Sequence, residues 1–181
     1  MAAADLVVTN AHVVAGISEP SVIDAGGGRH GSVVVYFDPR FDLAVLRTSS
    51  LNEPALYIDP SPVNPGSQAA VVGYPGSGPF QAGPAEVIQG FSAQDSDIYG
   101  HGATTRRVYA ITGTVRPGNS GGPLVEATGK SSAWCSPGHC PTPISATPWR
   151  PPEVATRVAQ AETHASNTTT GSCASRHGAG Q

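Results

Sequence analysis

The sequence predicts an all-β fold, and three observations carry that expectation. The 181 residues include 22 Gly and 17 Pro, more than a fifth of the chain, and only 13% are charged. A helical bundle or coiled coil would be rich in Ala, Glu, Lys and Leu, with few breakers. Strand-sized apolar runs recur along the chain with turn signals between them, the pattern of a sandwich or barrel. No helical period persists until residues 153–162.

The elements follow in order. An apolar run at 6–8 continues through 11–15 across one polar interruption. Residues 32–37 (SVVVYF) are β-branched and aromatic, preceded by three glycines and followed by Asp38-Pro39, and read as a strand. The run 43–46 (LAVL) has the length and apolarity of a strand buried on both faces. Residues 69–72 form another, closed by the turn-rich GYPGSGP, and 85–91, 107–112 and 123–125 complete the set. Residues 131–152 hold six Pro, both Trp and two Cys without periodicity, and no strand is expected there. The Ser/Thr/Gly-rich end is expected to fray.

Composition also excludes several classes. Net charge is −3 with no basic run, so nothing points to nucleic acid. No apolar stretch approaches the roughly 20 residues of a membrane helix. The start, MAAADLVV, lacks a basic region leading into a long apolar core and is no ordinary signal peptide. Three cysteines (Cys135, Cys140, Cys173) leave at least one thiol free or paired outside the chain.

The chemistry concentrates in Arg116-Pro-Gly-Asn-Ser-Gly-Gly-Pro-Leu124. A serine between glycines, on a turn before an apolar strand, suits an exposed nucleophile. In that geometry the N–H groups of Gly118 and Ser120 would form an oxyanion hole. A serine hydroxyl needs a base. His12 follows an apolar strand at a strand-to-turn junction, and Asp42 stands at the mouth of the buried run 43–46. Asp38 and Asp59 are rivals for the acid; Asp38 precedes Pro39 with no apolar strand after it and ranks below Asp42. His30 and His101 sit in Gly-rich loops and are expected to be solvated. Cys135-x-x-x-His139-Cys140 has knuckle-like spacing, but no second ligand pair accompanies it, so no metal is expected. Asn167-Thr-Thr169 has the form of a glycosylation sequon, a pattern short enough to arise by chance.

TNAHVV, DLAVL and RPGNSGGPL, in that order, resemble the trypsin-like serine proteases of the two-barrel chymotrypsin fold. Residues 71–80 (VVGYPGSGPF) and 107–118 (RVYAITGTVRPG) are most similar to actinobacterial, membrane-anchored acid-resistance periplasmic proteases. HtrA-like proteases share the triad motifs and match these two stretches less well. The resemblance covers about residues 4–125. It implies His12 as general base, Asp42 as its orienting partner and Ser120 as nucleophile of a serine endopeptidase acting on peptide or protein substrates without a cofactor. It also implies an extracytoplasmic location and, in family members, an amino-terminal membrane domain. Two other readings stay open: a non-catalytic relative that binds peptides along strand edges, and a decayed product without a stable fold.

Two departures from the family shape further expectations. The chain begins only a few residues before His12, so the first barrel is expected to be truncated at its amino end. After residue 130 the family supplies a β-hairpin whose first strand walls the substrate pocket, and here the Pro/Ser-rich stretch stands in its place. The expected organisation is a partial protease domain over 1–125, an aberrant segment over 126–152, and a short helix with a flexible tail over 153–181. Joining the last base of each codon to the first two of the next turns Trp134-Cys135 into valine and His139-Cys140 into leucine. Residues 131–152 can then be read as VLGVVFARALSDPDIGYALAPA, strand, polar turn and strand. The reading points to one base lost near Lys130 and one gained near Pro152. Cys135 and Cys140 would then be accidental, and the resemblance suggests that Cys173 pairs with a cysteine upstream.

Overall fold

A computed structural model describes residues 5–51, 53–135, 151–163 and 168–173. Among these residues nine strands form two antiparallel sheets, as the all-β expectation required. The first contains β1 (Leu6–Thr9), β2 (Ser21–Ile23), β3 (Arg29–Asp38) and β4 (Leu43–Thr48), in the order β1-β4-β3-β2. A one-turn helix, α1 (Ala11–Val14), follows β1. The second sheet contains β5 (Gln68–Gly73), β6 (Gln81–Asp95), β7 (Thr104–Ile111), β8 (Pro123–Glu126) and β9 (Ser131–Trp134), in the order β7-β6-β5-β8-β9. Helix α2 (Pro151–Thr163) covers the helical run read at 153–162.

The run 43–46 behaves as its composition predicts. In β4, Leu43 and Val45 enter one apolar cluster with Leu6, Val8 and Val35, while Ala44 and Leu46 face a second with Val14 and Val34. Alternation across the pleat places successive residues on opposite faces, so four apolar residues in a row require cover on both. Helix α2 supplies part of that cover through Val154, Val158 and Ala161, spaced along one helical face. The Arg47 guanidinium donates to the carbonyls of Ala161 (2.6 Å) and Glu162 (3.2 Å) in its last turn, where a cation is favoured. The second sheet closes over its own core of Val63, Val71, Ala85, Val87, Ile111, Leu124, Ala133 and Cys135.

Two expectations are corrected. Strand β2 was not anticipated, because three residues between turn signals carry too little pattern. The absence of a strand from 131–152 fails at its beginning, where β9 pairs with β8 (Pro123↔Trp134, Leu124↔Ala133, Val125↔Ser131). Ser131, Ala133 and Cys135 are each fully buried. The buried positions there are filled by small residues that carry little hydrophobic signal. The backbone of Ser131 is also paired on its other side, its N–H to the Tyr57 carbonyl (2.9 Å) and its carbonyl to the Asp59 N–H (3.0 Å). Residues 136–150, on which most of the shifted-frame reading falls, and Asn167 lie outside the described residues.

Two outcomes follow from this core. Leu124→Ala, at a site with no exposure, should cost about 2–5 kcal/mol of unfolding free energy, measured by urea denaturation; a loss below about 1 kcal/mol would contradict the packing. Burial pushes the Cys135 thiol up to about 12, so only about one molecule in 10⁴ carries the thiolate at pH 8. Peptide mapping after iodoacetamide treatment should find Cys135 unmodified in the native chain and modified in urea, with the exposed Cys173 modified in both.

Candidate active site

The site is built where the two sheets meet. Strand β1 ends at Thr9, and α1 turns His12 back toward the β3–β4 connection. There Asp42 holds a left-handed backbone (φ 55°) immediately before β4. This conformation costs a non-glycine residue of order 1–3 kcal/mol, and such strain collects at functional sites. The Asp42 carboxylate is 6% exposed and lies 2.8 Å (Oδ2) and 2.9 Å (Oδ1) from His12 Nδ1. Its Oδ1 also accepts the backbone N–H of His12 at 2.9 Å. One carboxylate therefore grips both ring and main chain of the same residue. With Nδ1–H donated to the carboxylate, Nε2 is the nitrogen left to take a proton. The imidazole is 31% exposed, reachable from solvent.

Ser120 stands on the turn from Arg116 to Gly122. The turn is closed by Asn119 N–H to the Arg116 carbonyl (3.0 Å) and Gly122 N–H to the Asn119 carbonyl (2.9 Å). Its glycines are required by contact. A Cβ on Gly118 (φ 97°) would lie 2.5 Å from the Tyr74 carbonyl oxygen, one on Gly121 (φ 79°) 2.5 Å from Thr9 Oγ1, and one on Gly122 would collide with the Val72 carbonyl. Among the described residues, the N–H groups of Gly118 and Ser120 donate to no protein acceptor. The Ser120 hydroxyl makes no hydrogen bond there either. The structure thus joins His12 and Asp42 directly, and sets Ser120 on its turn without a bond to the imidazole. Such bonds are often long before substrate binds.

The residue that sequence reasoning passed over is Asn10, quoted within TNAHVV but given no role. It is 1% exposed. Its Nδ2 donates to the Asp42 carbonyl (3.1 Å), and its Oδ1 accepts the Gly121 N–H (2.5 Å). One carboxamide therefore ties the Asp42 turn of the first sheet to the Ser120 turn of the second. Asn10 occupies the N-cap position of α1 without capping it, a usual role for Asn that gives no hint of the bridge.

The rival acids are engaged elsewhere. Asp38 is buried, accepting the Arg40 N–H (3.0 Å) and the Tyr36 hydroxyl (3.3 Å). Burial, aided by Asp38, pushes the Tyr36 phenol up to about 12. Asp59 accepts the Ser61 N–H (2.9 Å) and pairs with Lys130 (3.0 Å), which together hold its carboxyl near 2. His101 is exposed in its loop, as expected. His30 is not solvated: it lies in β3, 19% exposed, with Nε2 2.8 Å from Asp24 Oδ2. The reason is the β2–β3 hairpin, whose Ile23↔Arg29 register closes the glycine loop and folds Asp24 back over the strand. Cys135 packs in the second core, while His139 and Cys140 lie outside the described residues. Among the described residues no three His, Cys, Asp or Glu side chains cluster as metal ligands, and no helix is long and apolar enough to cross a membrane.

Asn10→Ala would remove both ends of the bridge, leaving Gly121 N–H its second acceptor, the Cys135 carbonyl at 3.0 Å, and should cost about 1–3 kcal/mol in all. It should also slow covalent capture of Ser120 by about 10²-fold, the scale of a 1 Å misplacement. Rates of modification by a fluorophosphonate, measured with the variant still folded by circular dichroism, check this; an unchanged rate would deny the bridge its positioning role.

Comparison with known proteins identifies the family and the fold. The trypsin-like peptidase domain matches residues 1–132. The serine protease Rv3671c of Mycobacterium tuberculosis is 41% identical over 127 residues, which cover 70% of this chain and 32% of that protein. The serine protease Do-like HtrA of Lactococcus lactis is 34% identical over 128 residues, covering 68% of this chain and 31% of that protein. The chain therefore spans about a third of the length of these curated relatives. The crystal structure of the active form of Rv3671c superposes with a TM-score of 0.90 at 34% identity, over 97% of this chain and 77% of that one. Its inactive form reaches 0.78, over 88% and 80%. Two curled antiparallel sheets, the motifs on them and a match over most of its length place the chain in the trypsin-like peptidase family.

Proposed function

We propose that this chain is a serine endopeptidase in which Ser120 is the nucleophile, His12 the general base and acid, and Asp42 its orienting partner. The observation that carries this reading is the double hold of the Asp42 carboxylate on His12, at 2.8–2.9 Å from Nδ1 and 2.9 Å from the backbone N–H. With Nδ1–H donated to that carboxylate, Nε2 is the nitrogen available to take a proton. Further support comes from the free N–H groups of Gly118 and Ser120 and from the higher similarity to the active than to the inactive form of Rv3671c.

The reaction follows from these groups. Nε2 of His12 removes the Ser120 proton as Oγ adds to a substrate carbonyl carbon, and the oxygen, now negative, accepts from Gly118 and Ser120 N–H. Asp42 stabilises the imidazolium so formed. The imidazolium returns its proton to the leaving amine as the C–N bond breaks, giving an ester on Ser120. Water, deprotonated by the same imidazole, then releases the acid and restores the hydroxyl. No step draws on a cofactor. The substrates are peptides or proteins, and the site of action is extracytoplasmic, as the resemblance to periplasmic proteases suggests.

A fluorophosphonate probe should label the folded chain, and Ser120→Ala and His12→Ala should abolish the label. Asp42→Asn should lower turnover of a peptide substrate by about 10⁴-fold, the loss that follows elsewhere when the imidazole is held in the wrong tautomer. A folded wild-type chain that takes no label would assign it instead to the non-catalytic, peptide-binding relatives.

A further inference from the structure

The connection that presents Asp42 is short. Strand β3 ends at Asp38 and β4 begins at Leu43, the last pair of their register, so residues 39–42 reverse the chain. Pro39 fixes one φ angle and brings no N–H. The turn must still deliver Asp42 in a left-handed backbone (φ 55°). A non-glycine residue keeps that conformation only where its surroundings hold it.

The hold begins at Asp38. Its side chain is buried and folds into the turn, where Oδ1 accepts the Arg40 backbone N–H at 3.0 Å. Asp and Asn have the reach to bond the main chain two residues on, and so to stand in for a backbone turn bond. Oδ2 accepts the Tyr36 hydroxyl at 3.3 Å, which ties the carboxylate back to β3. The Arg40 guanidinium returns to the same group, with Nη2 3.3 Å from Oδ2 and Nε 3.4 Å from Oδ1. That guanidinium is 66% exposed, so its pairing is screened and contributes little. Other anchors act on the turn from outside. The Arg40 carbonyl accepts from Arg106, the Pro39 carbonyl accepts the Ile98 N–H, and Phe41 packs against the first cluster. The next residue is Asp42, whose carboxylate meets His12 Nδ1 at 2.8 and 2.9 Å.

We propose that Asp38 is a positioning residue for the His12–Asp42 pair: its side-chain oxygen on the Arg40 N–H sets the turn that aims the Asp42 carboxylate at Nδ1. Asp38 acts through the backbone of residues 39–42, and what it supplies is an oxygen at the right reach rather than a charge. Its effect on rate rests on the serine-protease reading above; its effect on the His12 ring does not.

The test compares substitutions at Asp38 in the full chain. Asp38→Asn keeps an oxygen for the Arg40 N–H and can donate from Nδ2 to the Tyr36 phenol oxygen. Asp38→Glu keeps the charge but carries the oxygens one CH₂ beyond that reach, and Asp38→Ala removes both. One readout is the rate at which a fluorophosphonate modifies Ser120. The other is ¹⁵N NMR of the His12 ring at about pH 8.5, above the ordinary histidine range, with the signals assigned by their absence from His12→Ala. It distinguishes a protonated ring nitrogen from a bare one. In the wild-type chain and in Asp38→Asn the proton should sit on Nδ1, and the two should label within about threefold of each other. In Asp38→Ala and Asp38→Glu labelling should slow by about 10²-fold, the scale of a 1 Å misplacement. The proton should then move to Nε2 while circular dichroism reports an intact fold. If Asp38→Ala does not fold, the contrast between the Asn and Glu variants decides. Asp38→Glu labelling at the wild-type rate, or keeping its proton on Nδ1, would overturn the proposal. A wild-type chain that takes no label, with a tautomer that still depends on residue 38, would defeat the protease reading alone. Labelling and tautomer both indifferent to residue 38 would defeat the positioning role alone.

Discussion

Each sheet closes over its own apolar clusters, and no described cluster mixes residues of the first sheet with residues of the second. Ile58, in the stretch that pairs with β9, packs against the first sheet's cluster, and at the site itself the two sheets are joined by the Asn10 carboxamide between Asp42 and Gly121. Hydrophobic burial has no direction and tolerates sliding, whereas a buried amide with both ends bonded does not. A second contact of the same kind lies away from the site, where the Arg106 guanidinium donates to the Arg40 carbonyl at 2.7 and 3.0 Å and Ile98 N–H donates to the Pro39 carbonyl at 3.1 Å. Together these fix the β3–β4 connection that presents Asp42.

From that seam the conformation of the Ser120 turn follows. Gly121 must pass Thr9 to reach Asn10, Gly122 must pass Val72, and Gly118 must pass Tyr74. Three backbone approaches without room for a side chain leave Ser120 the one residue of that stretch free to present a functional group. The cost of such a turn is offset by strand pairing on either side, where β8 joins β5 and β9. Asn119, beside Ser120, is the exception: its Oδ1 is buried without a hydrogen-bond partner among the described residues and occupies space that a side chain on Gly73 would need.

The second core tests how much composition a strand requires. Ser131, Ala133 and Cys135 fill a fully buried edge position by position. What recruits them is less their own hydrophobicity than backbone pairing on both sides, to β8 and to residues 57–59. A segment whose local preferences are weak was carried into the sheet by its neighbours.

By itself the sequence determined the class of fold, the buried strand at 43–46, the helix near 153–162 and the family resemblance. It did so because period, apolar runs and turn residues are local properties, and because His12, Asp42 and Ser120 each sit in a short motif. It also ranked Asp42 above Asp38, which precedes Pro39 with no apolar strand after it. Tertiary structure alone decided which polar groups meet. The Asn10 bridge joins residues 32 and 111 positions apart, the His30–Asp24 pair depends on hairpin closure, and β9 depends on partners far away in the chain. Hydrogen-bond partners are chosen by distance and direction in space, and neither is written in a residue's immediate neighbours.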